Sequence, residues 1–340
     1  MTNHLPASIR EARPDELSTL EALVVEVFGA GDRPRGWFER KLSREVVDPA
    51  LSKIAVDRRG RRIGFLLGSA PASLPGVARL VSLGVLPTSR RQGIGRALIE
   101  AAATTAAAAG LGSMTALAEA DRRSFYTDTG FSPEAVLRTI LAPRRSPESA
   151  PTRAQTRRGG VLSVTMPATV TIATPAALAM TATSASPGAG PAEHAITIQP
   201  LPPAPWGRAG ARAVGGWLAE AWEGTPAKLR QTYAIGGPQP RAWVHVSREG
   251  EAQLIHRLLL RRLSAPSALD EPDELARVVC ELAQSLAEGL TPERPLLFYG
   301  LPAVSPITVR LIRAGWTCIQ ESTRMVRDLS GTGATEPTPP

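Results

Sequence analysis

Apolar and polar positions alternate in SIREAR (residues 8–13), which predicts a short strand. DELSTLEALVVEVF (15–28) predicts a helix: Leu17, Leu20, Leu23, Val24 and Val27 fall near helical spacing, and Asp15 stands where a cap would. RGWFERKLSREVV (35–47) is a second helix. SKIAVDRRGRRIGFLLGSA (52–70) reads as two strands joined by a DRRGR turn, and VARLVSLGVLP (77–87) as a third, ended by Pro87. The pattern then switches to a helix from about Gly93 to Ala109. Its expected apolar face is Ile94, Ala97, Leu98, Ala101 and Ala108, and Gly110 is its stop. SMTALAEA (113–120) predicts a strand, RRSFYTDT (122–129) a short helix and AVLRTILA (135–142) a last strand.

Residues 143–195 break this rhythm. They are rich in proline, serine, alanine and threonine and read as a linker, with one apolar piece able to form a strand pair. From 196 to about 330 the earlier order returns. AITIQPL is a strand and GARAVGGWLAEAW a helix. PRAWVHVSREGEAQLIHRLLLRRL gives two strands turning near Gly250. DELARVVCELAQSLAEGL is an amphipathic helix capped by Asp273. RPLLFYGL (strand), SPITVRLIRAGW (helix) and TCIQESTRMVRDL (one or two strands) complete it. The matching order suggests one α/β (α+β) fold used twice. The domains are then 1–142, a 143–195 linker, 196–330 and a disordered tail at 331–340.

Composition fits this division. A chain of 340 residues favours two domains, and 43% hydrophobic residues suffice for their cores. The two cysteines, Cys280 and Cys318, form no disulfide framework or metal spacing and read as small buried hydrophobes. His4, His194, His245 and His256 lack ligand spacing, so no metal site is expected. There is no run of about 18 apolar residues for a membrane span and no signal-like h-region, and the lack of a disulfide framework suits a reducing cytoplasm. Net charge is +8, yet residues 1–142 carry 19 basic and 15 acidic side chains and residues 196–340 carry 15 and 14. Neither half concentrates basic residues among aromatics, which argues against a nucleic-acid face.

The candidate chemistry lies in VLPTSRRQGIGRALIE (85–100). A basic, glycine-bearing turn runs straight into a helix. Helix starts offer free N–H groups and partial positive charge, so this turn suits a phosphate or pyrophosphate. A P-loop would need Lys and Ser or Thr after the glycines, and a dinucleotide fingerprint would need Gly or Ala at Leu98. Neither is met.

The turn resembles the acyl-CoA loop of the GNAT superfamily of N-acetyltransferases, [Q/R]-x-x-G-x-[G/A], through Arg90, Gly93 and Gly95. LGVLP looks like the V-x-P strand end that precedes it. EADRRSFYTDTGF is similar to a second signature of that family through Phe125, Tyr126, Gly130 and Phe131. Glu119 and Arg122 depart from its asparagine and alanine.

The resemblance implies two GNAT-like domains, each a mixed, mainly antiparallel splayed sheet flanked by helices. It implies acetyl-CoA as donor, with Leu83, Gly84 and Val85 beside pantetheine. Arg90, Arg91, Gln92, Gly93, Ile94, Gly95 and Arg96 would surround the phosphates, and Tyr126 would be the general acid. Gly84 is expected to mark the bulge that opens the acyl slot. Glu119 and Asp121 are the nearest candidates for a base. The acceptor would be a small-molecule or peptide amine, with Trp37 and Phe38 near its pocket. The second half lacks G-x-G before its long helix, carries acids there instead, and reads as a degenerate copy. The protein would be a monomer with pseudo-dimeric domains, or a homodimer. The missing base leaves open a non-catalytic acyl-CoA sensor or scaffold.

Overall fold

The structure, a computed structural model, describes residues 7–29, 35–72, 74–143, 198–201, 230–236, 240–249, 255–262, 272–288 and 295–331. Most of the linker, the helix expected near 210–222, the turn before the second long helix and the tail beyond 331 lie outside these residues.

The chain divides into two compact units. Among the described residues, unit 1 takes 7–137 and 321–331, and unit 2 takes 138–320. Unit 1 begins with β1 (Ala7–Glu11), α1 (Pro14–Leu17), α2 (Glu21–Phe28) and α3 (Trp37–Arg44). The strands β2 (Asp48–Asp57), β3 (Arg62–Ser69) and β4 (Val77–Val85) follow. Next come α4 (Ile94–Ala108), β5 (Ser113–Glu119), α5 (Arg123–Asp128) and β6 (Ser132–Leu141). β1 to β4 pair antiparallel in sequence, and β4 pairs parallel with β5. β3 is buried along nearly its whole length, which is why IGFLLG reads as an apolar run and not as an alternation.

Asp15 is not the cap. α1 starts after Arg13 with Pro14 in its first turn, and Glu16 accepts a hydrogen bond from the Arg13 N–H at 3.0 Å. The buried face of α4 is Ile94, Leu98, Ile99, Ala102, Ala103 and Ala106. Ala97 and Ala101 are only half-buried and Ala108 is exposed. The expected face was rotated because it left out Ile99; with Leu98 and Ile99 both turned inward, the stripe moves by a residue. Gly110, at φ +76°, ends the helix as expected.

Unit 2 repeats the order. β7 (Ile198–Leu201), β8 (Arg230–Gly236), β9 (Pro240–Glu249) and β10 (Ile255–Arg262) pair antiparallel in sequence. α6 (Pro272–Glu288), β11 (Leu296–Pro302), α7 (Pro306–Arg313) and β12 (Thr317–Asp328) follow. β8 was not expected. β10 pairs parallel with β11 over three residues, as β4 does with β5. Against expectation, neither cysteine is fully buried: Cys280 is half-buried, with burial pushing its thiol up to about 12, and Cys318 is exposed.

The final strand of each repeat is exchanged. β12 lies antiparallel to β5 from Ser322↔Glu119 to Asp328↔Ser113, so unit 1 takes its outer strand from the C-terminal end of the chain. Met325 and Leu329 are buried in the unit 1 core, and the Leu329 N–H donates to Gly112 O at 3.0 Å. Conversely, β6 passes into unit 2 at Arg138. Ile140 and Ala142 join the unit 2 core, and the Ala142 N–H donates to Leu296 O at 2.9 Å.

Candidate active site

β4 and β5 pair only at Val77↔Ser113, Ala78↔Met114 and Arg79↔Thr115. Beyond that point β4 continues to Val85 and β5 to Glu119 without pairing each other. On its other side β4 stays zipped to β3 as far as Gly64↔Val85. The stretch Leu80–Val85 therefore presents alternate backbone N–H and C=O groups to a widening cleft. At its root sits Arg79, buried, with its Nη1 2.7 Å from a carboxylate oxygen of buried Glu45.

The β3/β4 ladder has one irregularity. Leu67 faces Ser82 and Gly68 faces Leu80, so Val81 is the extra residue. The bulge is therefore at Val81, not at Gly84. Gly84 stays in register against Phe65, and a Cβ there would lie 2.7 Å from Phe65 Cε1 and 2.9 Å from Val27 Cγ1. It is glycine because the Phe65 ring crosses it.

After β4, Pro87–Ser89 make one tight helical turn. Arg91 then takes φ +60° and Gly93 φ +78° before α4 begins. A side chain in this region costs about 1–2 kcal/mol, and glycine avoids the cost. No side chain caps α4; its first helical bond is from the Ala97 N–H to Gly93 O at 3.0 Å. Among the described residues, none accepts from the N–H groups of 91 to 96. Ile94 is buried and pins the first turn, while Arg91, Gln92, Gly93 and Arg96 are exposed and Gly95 is half-buried. This row of free donors at a helix start is an anion cradle. Arg90 braces it: its Nε donates to Val85 O at 3.0 Å and its Nη2 lies 3.5 Å from Val27 O.

Tyr126 is buried on α5, edge-on to Phe125 (5.4 Å between centroids) and Phe131 (5.5 Å). Loss of solvent pushes its hydroxyl up to about 12; Arg122 pulls it down and the Glu119 charge adds to the rise. Glu119 is exposed at the end of β5. Asp121 pairs with Arg122 at 3.0 Å, both well exposed, which makes it a surface ion pair. Phe38 is fully buried in the core, and Trp37 packs edge-on against it at 5.3 Å. Sequence reasoning passed over the Arg79–Glu45 pair, whose signal was a single arginine within the apolar VARLVSLGV.

The profile of the acetyltransferase (GNAT) domain matches residues 51–133, which span β2 through α5 and contain the cleft, the cradle and Tyr126. The N-terminal part of the chain thus carries an N-acetyltransferase domain of the GNAT type. No curated protein matches the chain. Solved structures of similar fold include a putative acetyltransferase from Pyrococcus horikoshii (12% identity, 96% of this chain and 90% of that one, TM-score 0.56). A GCN5-related N-acetyltransferase from Anabaena variabilis aligns at 12% identity over 95% and 73%, with a TM-score of 0.53. A tandem GNAT protein from the clavulanic acid biosynthesis pathway aligns at 16% identity over 97% and 100%, with a TM-score of 0.51. Among the described residues no helix is long and apolar enough to cross a membrane, and no group of three or more His, Cys, Asp or Glu could hold a metal ion.

Proposed function

We propose that unit 1 transfers an acetyl group from acetyl-CoA directly to the primary amine of a small molecule or peptide. The observation that carries this reading is the row of free N–H groups from 91 to 96, opening beside the unpaired edge of β4. The cradle suits the pyrophosphate and the Leu83–Val85 edge suits the amide arm of pantetheine. The thioester then reaches into the cleft toward the Val81 bulge.

The amine lone pair attacks the thioester carbonyl, the C–S bond breaks, and the thiolate takes the Tyr126 proton. The surplus proton of the new amide nitrogen leaves to water, with Glu119 as the carboxylate nearest the exit; Tyr126 is reprotonated from solvent. A hydroxyl near 12 facing an ordinary thiol near 8.5 would be uphill by about 5 kcal/mol. Loss of solvent raises a thiol as it raises Tyr126, so a desolvated thiolate would narrow that gap. Asp121, held by Arg122, is the weaker base candidate. Unit 2 serves as a degenerate copy without a CoA loop.

Acetyl-CoA at 100 times its Kd should stabilise unit 1 by about 2.7 kcal/mol, read as a rise in Tm. Gly93→Asn tolerates the left-handed conformation and should keep that rise. Gly93→Asp has nearly the same shape but sets a carboxylate on the cradle, and should lose it. Equal stabilisation of both variants would overturn the cradle. Binding without turnover of any amine in a broad panel would favour the sensor or scaffold reading.

A further inference from the structure

β12 brings an arginine from the C-terminal end of the chain to the back of the site. Arg327 Nη1 and Nη2 grip both carboxylate oxygens of Glu100 on α4, at 3.0 and 2.8 Å. The same Nη1 donates to Thr129 O at 3.0 Å, just past the end of α5. The Arg327 side chain is only 11% exposed, while the Glu100 carboxylate that it grips is at the surface, 48% exposed. Thr129 belongs to the turn that closes on Tyr126: the N–H groups of Thr129 and Phe131 both donate to Tyr126 O, at 3.0 and 3.1 Å. Arg327 thus ties the helix that begins at the cradle to the turn that holds the proposed acid.

We propose that Arg327 is a positioning residue for Tyr126, setting α5 at a fixed distance from the acyl group that α4 and β4 hold. This rests on the acetyl-transfer reading above. The two helices depend on the clamp unequally. α4 is 15 residues long and anchored in the core through Ile94, Leu98 and Ile99. Its donors to the phosphates are backbone groups in the first turn, ahead of Glu100. α5 has six residues, of which Tyr126 alone is buried. Loss of the clamp should therefore leave donor binding intact and displace the acid. A displacement near 1 Å costs up to about 100-fold in rate.

The test uses the full chain with Arg327→Ala, Arg327→Lys and, as a control on the same strand, Arg324→Ala, which removes an ion pair with Glu134. Acetyl-CoA affinity by calorimetry and steady-state kcat are measured for each. Both Arg327 variants should bind acetyl-CoA within about two-fold of the parent and lose about 10- to 100-fold in kcat, lysine less than alanine because it keeps the charge but not the fork. Arg324→Ala should keep the parent's kcat. The proposal is overturned if Arg327→Ala retains kcat, if its affinity falls as far as its kcat, or if Arg324→Ala loses as much. A parent that fails to bind acetyl-CoA or to turn over refutes the acetyl-transfer reading instead.

Discussion

Two glycines of the site differ in the room around them, and they should respond differently to alanine. At Gly84 an added Cβ would meet Phe65 Cε1 at 2.7 Å, Phe65 Cζ at 2.8 Å and Val27 Cγ1 at 2.9 Å. Ordinary carbon contacts lie near 3.5–4.0 Å, so roughly 1 Å of overlap must be relieved. Phe65 is fully buried and edge-on to Phe28 at 6.2 Å, which leaves the ring little room. Overpacking of this kind costs about 1–3 kcal/mol, while alanine regains about 0.5–1 kcal/mol of strand propensity. Gly84→Ala should therefore lose about 1–2 kcal/mol. At Gly95 the Cβ would meet Phe125 Cζ at 3.2 Å, and Phe125 is only half-buried and can yield. Alanine gains about 1 kcal/mol in a helix, so Gly95→Ala should be neutral or slightly stabilising. The assay is urea denaturation, comparing midpoints at unchanged m. Phe65→Leu should rescue Gly84→Ala with a coupling of about 0.5–3 kcal/mol. A Gly84→Ala protein as stable as the parent, or no coupling to Phe65, would refute the reasoning.

Tyr126→Phe should lower kcat by about 100-fold or more while acetyl-CoA affinity is unchanged, and the parent's pH–rate profile should show no fall from Tyr126 ionisation below about pH 10, since its hydroxyl sits near 12. Glu16 is held down at about 2, chiefly by its hydrogen bonds from Arg10 at 2.6 and 2.7 Å. Its folded value lies below the unfolded one, so its stabilisation is present above about pH 4.5 and lost as pH falls toward 2. Arg10 is more than a third exposed, so screening limits the effect: Glu16→Gln should cost about 1 kcal/mol at pH 7 and nothing at pH 2, checked by denaturation at both. Arg79→Met should destabilise by at most about 3–5 kcal/mol, because it removes the nearest cation of the buried Glu45 carboxylate and leaves Arg44 at 3.6 Å and Lys41 at 4.0 Å, and adding Glu45→Met should recover part of that loss in thermal unfolding. Met325→Ala, in the core of unit 1, should cost about 2–5 kcal/mol and lower the Tm of the acetyl-CoA-responsive transition.

Much of unit 1 was legible because its elements carry local signals. Pro87 ends a strand, Gly93 opens a helix and Gly110 closes it, each through backbone preferences that act at one residue. The cradle was legible for the same reason: a helix start displays its donors wherever it occurs. The Gly84 expectation failed because it assigned a backbone role to a glycine whose cause is a side chain 19 positions earlier in sequence. Ring packing of that kind leaves no mark in the local pattern. Asp121 looked equivalent to Glu119 in sequence, and only the placement of Arg122 separates them.

The exchange of final strands is the part no local pattern could have shown. β6 and β12 close two repeats of the same element order, so either could in principle stand beside either β5 or β11. Pairing, not propensity, decides. β12 offers β5 a seven-residue antiparallel register, two apolar anchors in Met325 and Leu329, and Arg327 for Glu100. Antiparallel strand pairs draw their stability from such cross-strand contacts and not from the strand alone. The N-terminal segment that holds the cradle and Tyr126 does not build the sheet of unit 1 alone, because the strand that braces β5, one wall of the cleft, comes from the other end of the chain.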